Sequence, residues 1–194
     1  MRKMLLGDIG CCVNIHLACF PESLLSFLGP AFLRTYYEGL VASGLGISLV
    51  YEEGEQLMGF VAGFSNPRRY YEFLLRTRTL RFCTASVAAI FKRPAIIPRL
   101  VGALTYPSKT PSGSDRILLS SIAVLPAFRR RGVGTKLVQA FLAEAMLRGG
   151  KGVYLGVKMG DQQAKSFYEN LGFEGSQDIP NPGYGDSVLL ARNF

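Results

Sequence analysis

Three arginines run into two glycines spaced one apart in "RRRGVGTKL", residues 129–137, directly before a stretch with helical periodicity. Residues of these types in this order make an anion site. The first N–H groups of a helix have no partner within it, and the helix dipole adds partial positive charge there. Glycine lets a phosphate approach the backbone closely, and arginine adds Coulomb attraction and two-pronged hydrogen bonds. Two familiar glycine loops do not fit. The nucleoside-triphosphate loop G-x-x-x-x-G-K-[ST] has a different spacing, and the dinucleotide pattern G-x-G-x-x-G meets Leu137 where its third glycine belongs. What remains is Arg129-x-x-Gly132-x-Gly134 between an apolar strand and an amphipathic helix. Taken alone, the same residues also describe a basic turn that merely opens a helix.

The elements that must position this turn follow from periodicity. "RILLSSIAVLP" reads as a strand, apolar on both faces and ended by Pro126. A helix follows from about Gly132 to Arg148, with Val133, Leu137, Phe141, Leu142, Ala145 and Met146 on its apolar face and Gly149-Gly150 at its end. "GVYLGVK" is the next strand, 161–171 a short helix, and "GFEGSQDI" and "SVLLARN" two closing strands. Upstream, "MRKMLL" reads as a first strand, and Asp8 suits the N-cap of a helix carrying Ile9, Val13, Leu17 and Phe20. "FPES" breaks that helix. "GPAFLRTYYEGLVASG" starts another, with Pro30 in its first turn and Gly44 near its end. "GISLVYEEGEQLMGFVAGF" is a hairpin turning at Glu53-Gly54, and its nearly all-apolar second strand, from Leu57 to Phe64, belongs inside the sheet. Residues 67–104 read as two or three helical pieces cut at Pro94 and Pro98, and 106–115 as loop. Strands and helices mix without strict alternation, which favours an α/β sheet of mixed direction.

Composition sets further bounds. A chain of 194 residues with 48% hydrophobic content suits one domain with a substantial core. No apolar run reaches the roughly 20 residues needed to span a bilayer. The basic-then-apolar N-terminus mimics a secretion signal, but Asp8 interrupts it and no A-x-A-like site follows. Cys11, Cys12, Cys19 and Cys83 make a poor disulfide framework, so reduced thiols and a cytoplasmic setting are expected. Cys11, Cys12, His16 and Cys19 match no common zinc spacing, so no metal is expected. The net charge of +8 is carried entirely by residues 65–110, where nine Lys and Arg face Glu72 alone. "RRYYEFLLRTRTLRF" could be a helical cap packing its aromatics on the domain, a lid admitting an anionic acceptor, or a nucleic-acid or membrane surface. No RNA-binding module pattern appears, so nucleic acid is not an expected partner.

Two blocks together point to a family. "SSIAVLPAFRRRGVGTKLV" resembles the fourth strand and pyrophosphate loop, [QR]-x-x-G-x-[GA], of the GNAT superfamily of acyl-CoA-dependent N-acetyltransferases. "DQQAKSFYENLGF" resembles its second block, N-x-x-A-x-x-x-Y-E-x-x-G-F, with Asp161, Ala164, Tyr168, Glu169, Gly172 and Phe173 at matching spacings. One helix and one strand separate the blocks, as the family requires. The close match covers residues 116–174. Asp161 departs from the family's usual asparagine, and a carboxylate accepts hydrogen bonds but does not donate them.

The resemblance implies a single GNAT-like domain over 1–194, a mostly antiparallel mixed sheet flanked by helices, with a helical insert between the third and fourth strands. It implies acetyl transfer from acetyl-CoA to an amine. Pantetheine would pair with the backbone of Ile122, Ala123 and Val124, one nearby N–H would polarise the thioester carbonyl, and backbone groups of Arg129, Arg130, Arg131, Gly132, Val133, Gly134 and Thr135 would hold the pyrophosphate. Asp161 and Ala164 fall beside the cofactor. Tyr168 matches the family's general acid, which meets the departing thiolate. Alkyl amines titrate near pH 10, so the attacking amine needs a base or a relay. Glu52, Glu53 and Glu55 at the hairpin turn are candidates. His16, the chain's single histidine, sits on a helix that would line the acceptor pocket. The acceptor expected is an amine on a small metabolite or amino sugar. A peptide or protein N-terminus is the alternative, as is a non-catalytic module binding acyl-CoA or nucleic acid. A homodimer is left open.

Overall fold

The computed structural model of the chain describes residues 1–92, 115–175 and 187–194. Its strands are β1 (Arg2–Lys3), β2 (Gly46–Glu53), β3 (Gln56–Phe64), β4 (Arg116–Val124), β5 (Gly152–Lys158), β6 (Glu174–Gly175) and β7 (Ser187–Asn193). Its helices are α1 (Ile9–Cys19), α2 (Leu24–Leu28), α3 (Pro30–Ser43), α4 (Pro67–Lys92), α5 (Val133–Leu147) and α6 (Gln162–Glu169). The strands form one sheet in the order β1-β2-β3-β4-β5-β7-β6. All neighbours pair antiparallel except β4 and β5, which run parallel. This is the mixed, mostly antiparallel sheet expected from the sequence, with α4 between β3 and β4. Among the described residues, no helix is long and apolar enough to cross a membrane.

The two faces of the sheet differ. On one, α5 buries Val133, Leu137, Val138 and Phe141 against Val61, Leu119, Val153 and Leu155. A fully buried Leu or Phe contributes roughly 1.5–3 kcal/mol, so this helix is fastened mainly by aliphatic burial. On the other face, α1, α3 and α4 enclose Tyr36, Tyr37, Phe60, Phe64 and Tyr70. Phe64 stacks on Tyr70 at 4.2 Å, and Tyr37 meets Phe60 edge-on at 5.3 Å. Gly39 lets α4 approach α3 closely, since a Cβ there would collide with the Leu74 side chain. Tyr70 donates to the Tyr36 carbonyl at 2.6 Å, and Arg78 and Arg81 reach Glu38 at 3.0 and 3.4 Å. The first half of the basic insert therefore packs as a cap on α3, while Arg68, Arg69 and Arg76 stay exposed.

Local differences from the sequence reading have physical causes. The first strand pairs over two residues only, because Asp8 turns back. Its carboxylate accepts from the Leu5 N–H at 2.7 Å and from Arg2 at 2.6 and 2.9 Å, so it does not cap α1. After the break at "FPES", Ser23 caps a short helix the sequence reading lacked, accepting from the Ser26 N–H at 3.1 Å. α4 runs unbroken to Lys92. Pro94, Pro98, residues 106–114 and most of "GSQDI" lie outside the described residues.

The largest difference is a bulge in β4. Ala62 pairs with Ser121 and Gly63 with Leu119, which leaves Ser120 as an extra residue. Side chains alternate along a strand, so Leu118 and Ala123 would face opposite ways. Instead both join the aromatic face, while Leu119 and Ile122 join the aliphatic one. The bulge resets the alternation and turns both Ser120 and Ser121 to the aromatic face. There Ser120 bonds the Tyr36 hydroxyl at 3.2 Å.

Candidate functional site

β4 and β5 pair only from Arg116/Gly152 to Leu118/Tyr154. Beyond that they part, although β4 continues to Val124 and β5 to Lys158. β5 stays paired with β7 throughout, and β4 with β3, so the gap is a V opening toward the strand ends. The Leu125 N–H donates to the Met58 carbonyl at 2.9 Å, which turns Leu125 toward β3. Backbone groups alternate edges, so Ala123 also faces β3, and Ile122 and Val124 present theirs to the open V. The sheet thus offers a short unpaired edge to an extended ligand.

At the aliphatic face, β4 runs through Pro126–Phe128 into the arginine–glycine turn. Arg130 and Gly132 both hold left-handed backbone, at φ 62° and 75°. For arginine that conformation costs on the order of 1–2 kcal/mol. Alternating left-handed residues turn successive N–H groups to one side, a concavity that suits an anion. Val133, Gly134 and Thr135 then open α5, and no side chain caps it. The three arginines are exposed. Arg129 Nε folds back to the Val124 carbonyl at 3.1 Å, and Arg131 lies over the Phe128 ring at 5.5 Å.

α6 lies beside this turn, with the Phe167 ring 3.4 Å from where a Cβ on Gly134 would stand. Asp161 caps α6, its carboxylate accepting the Ala164 N–H at 2.9 Å. An asparagine oxygen could do the same, which gives the departure from the family pattern a local reason. Tyr168 is buried between Phe167 and Phe173, at 5.0 and 5.6 Å. Burial first, and the Asp161 charge second, push its phenol well above the ordinary range. Among the described residues its hydroxyl has no hydrogen-bond partner.

At the aromatic face the turn between α1 and α2 sits across the mouth of the V. The Cys19 thiol donates to the Val124 carbonyl at 3.3 Å on the β4 side, and Glu22 meets Lys158 at 3.7 Å on the β5 side. His16, one helical turn earlier, is buried. Its Nδ1 lies 2.7 Å from the Tyr37 hydroxyl and its Nε2 3.3 Å from Ser23 Oγ. Burial pushes its pKa down to about 4, so the imidazole is neutral at pH 7. Glu52 is held by Arg2 at 2.8 Å, and Glu53 and Glu55 stand in the exposed hairpin turn, at the end of the sheet where β4 finishes but across β3 from the V.

The structure thus puts Ile122 and Val124 on the open V, with Ala123 turned to β3 instead, the 129–135 turn at the end of β4, α6 with Asp161, Ala164 and Tyr168 beside that turn, and His16 on the opposite face of the sheet. The sequence reading missed Glu22, Ser23, Tyr37 and Ser121. The available signal was "SS" inside an apolar strand, where two adjacent serines fit one face only if the strand bulges.

This arrangement matches known proteins. The model of the Acetyltransferase (GNAT) family covers residues 12–173, and the chain belongs to that family. It is 33% identical over 82 residues to the [ribosomal protein bS18]-alanine N-acetyltransferase of Salmonella typhimurium, covering 40% of this chain and 55% of that protein. It is 33% identical over 76 residues to N-alpha-acetyltransferase 30 of Schizosaccharomyces pombe, covering 39% and 51%. The chain thus spans about half the length of the curated relatives it matches. In fold it resembles the PaiA N-acetyltransferase of Thermoplasma acidophilum, solved with coenzyme A, at a TM-score of 0.60 and 11% identity over 100% of this chain and 97% of that one.

Proposed function

We propose that the chain is an N-acetyltransferase that moves an acetyl group from acetyl-CoA to the N-terminal amine of a peptide or protein. The observation that carries the acetyl-CoA reading is the V between β4 and β5, continuous with the uncapped start of α5. The residues present fit that cosubstrate. The left-handed pair Arg130 and Gly132, with the N–H groups of Val133, Gly134 and Thr135, form a cradle for a pyrophosphate. Nothing lies within 4 Å of where a Cβ on Gly132 would stand, so the turn is open to a ligand. When bound there, the thioester supplies an activated acetyl group.

The chain's own residues do the rest. Ile122 and Val124 hold the pantetheine arm by backbone hydrogen bonds, and an N–H at this edge polarises the thioester carbonyl. Tyr168 meets the departing sulfur. Because burial raises its pKa, the phenol acts chiefly as a hydrogen-bond donor, since full transfer would leave a buried phenolate beside Asp161. Glu22, 88% exposed at the mouth of the V, draws a cationic N-terminus toward it. The named activities of the two curated relatives support a peptide acceptor over the small metabolite or amino sugar expected with the family resemblance.

The test mixes the protein with acetyl-CoA and a panel of amines: short peptides with different free N-terminal residues, amino sugars and small polyamines. Free thiol is followed with time. Turnover with the peptides is the expected result. Turnover with amino sugars alone would return the acceptor to the small-metabolite class, and binding of acetyl-CoA without any turnover would make the chain a non-catalytic acyl-CoA module.

A further inference from the structure

The helical insert between β3 and β4 has no part in the chemistry derived above, yet it reaches the acceptor side. β3 ends at Phe64, opposite Leu118, at the end of the sheet where β4 and β5 are still paired. α4 starts three residues later, at Pro67. From there it lies along α3. Tyr70 donates to the Tyr36 carbonyl, Arg78 pairs with Glu38, and Phe82 packs on Phe32 in the first turn of α3, with ring centroids 4.6 Å apart. α4 also touches α2. It therefore spans the molecule from the closed end of the V to the helix that follows the turn across its mouth.

α2 needs support from outside itself. It has five residues, too few to hold as a helix alone. Pro21 and Gly29 flank it, and Gly29 breaks the chain from α3 at φ 92°. Its buried residue Leu28 forms a small apolar cluster with Leu24, Phe27 and Phe32, apart from the two main ones. Phe82 packs on the main aromatic cluster and on Phe32, so it joins the small cluster to the large one. The two contacts that tie the α1–α2 turn to the V are weak. A thiol is a poor donor, which limits the Cys19 bond to the Val124 carbonyl. The Glu22–Lys158 pair is exposed on both sides, and such pairs contribute little. Apolar packing behind the turn is what remains. Phe20 and Leu25 hold its two ends on the main cluster, and the Phe82–Phe32 contact holds α2.

We propose that α4 braces the acceptor wall: Phe82, seated on Phe32, fixes α2 and with it the height of the Glu22 turn above the V. The inference rests on the acetyl-transfer reading, with the acceptor amine entering past that turn. Phe82 and Phe32 are then positioning residues that act through α2 and not by contact with the reacting atoms. The pyrophosphate cradle opens α5 on the aliphatic face, across the sheet from α2 and α4, so loosening the brace leaves it intact. The exposed Arg68, Arg69 and Arg76 lie outside this contact and have no part in it.

The test uses acetyl-CoA and a short peptide with a free N-terminal alanine. Phe82→Ala is expected to raise the peptide KM about tenfold, the scale of one lost aromatic contact. kcat should stay within about threefold, since a weakened wall costs binding and not chemistry. Acetyl-CoA affinity by calorimetry should stay within about twofold. Phe82→Leu keeps an apolar side chain on Phe32 and should recover KM to within about threefold of wild type. Phe32→Ala should raise KM as Phe82→Ala does, and the double variant should be no worse than the worse single, because both remove one contact. Leu142→Ala, a core truncation on the aliphatic face, should lower stability and leave the peptide KM within about twofold. Hydrogen exchange gives a readout without turnover. In Phe82→Ala, amides of residues 22–28 should exchange about tenfold faster, while those of α5 stay unchanged. An unchanged KM in Phe82→Ala, a fall in acetyl-CoA affinity as large as the rise in KM, or equal acceleration of exchange in α2 and α5 would overturn the brace. If the wild type fails to acetylate the peptide, the acceptor reading falls, and the exchange pattern alone decides whether α4 holds α2.

Discussion

The two faces of the sheet build their halves of the site by different means. On the aliphatic face the chemistry is backbone chemistry: N–H groups of a left-handed turn, an uncapped helix start, and an unpaired strand edge. Side chains there, such as Leu137 and Phe141, hold the frame. On the aromatic face the polar groups are side chains: Tyr37, His16, Ser23 and Ser26, hydrogen-bonded within a packed cluster of rings. Backbone sites demand particular glycines and a fixed spacing, so they leave a readable mark. Side-chain networks depend on which residues the fold brings together from distant positions, and leave almost none.

That contrast can be broken at either face. The largest effect is expected at the turn. Gly132→Val puts a β-branched residue where φ is 75° and a side chain where the ligand would lie. Losing two charge-assisted hydrogen bonds of about 1.5–3 kcal/mol each should weaken coenzyme A binding roughly 1,000-fold, read by calorimetry.

The next effect belongs to the aromatic face. His16 has a folded pKa of about 4 against a reference of 6.5. The folded state refuses a proton that the unfolded state accepts, so stability is full above pH 6.5 and falls as pH drops toward 4. The loss should reach about 3 kcal/mol in urea titrations, and His16→Gln should flatten that segment of the pH curve.

Tyr168→Phe removes one hydrogen bond of about 1.5–3 kcal/mol to the developing thiolate and is expected to cost roughly 10- to 100-fold in kcat while acetyl-CoA affinity changes little. Equal losses in both would make this tyrosine a packing residue. The smallest effects fall on α6. Asp161→Ala should lose about 1 kcal/mol of stability with the cap, whereas Asp161→Asn keeps the cap and should be nearly neutral. Asp161→Asn also removes the charge beside Tyr168, so the phenol should titrate lower than in the wild type.

Most of the frame was legible in the sequence because its signals are local. Pro30 and Gly44 bracket α3 as read, and "GVYLGVK" is β5 residue for residue. The motif turn at 129–135 and the helix at 162–169 form where they were read for the same reason. The failures share a different cause. Asp8 left its helix because Arg2 and the Leu5 N–H compete for it. The bulge at Ser120 is set by pairing with β3, where a side chain at Gly63 would run into Phe141 and the Leu118 carbonyl. Once the bulge is missed, Ser120 and Ser121 read as strand residues on opposite faces.

The claim on which the rest depends is that the 129–135 turn and the open edge of β4 receive a diphosphate-bearing thioester. Calorimetric titration of coenzyme A into the wild-type chain and into Gly132→Val tests it most directly. Saturable binding at one site in the wild type, lost in the variant, is the expected outcome. Absence of binding to the wild type, or equal affinity in the two, would contradict it.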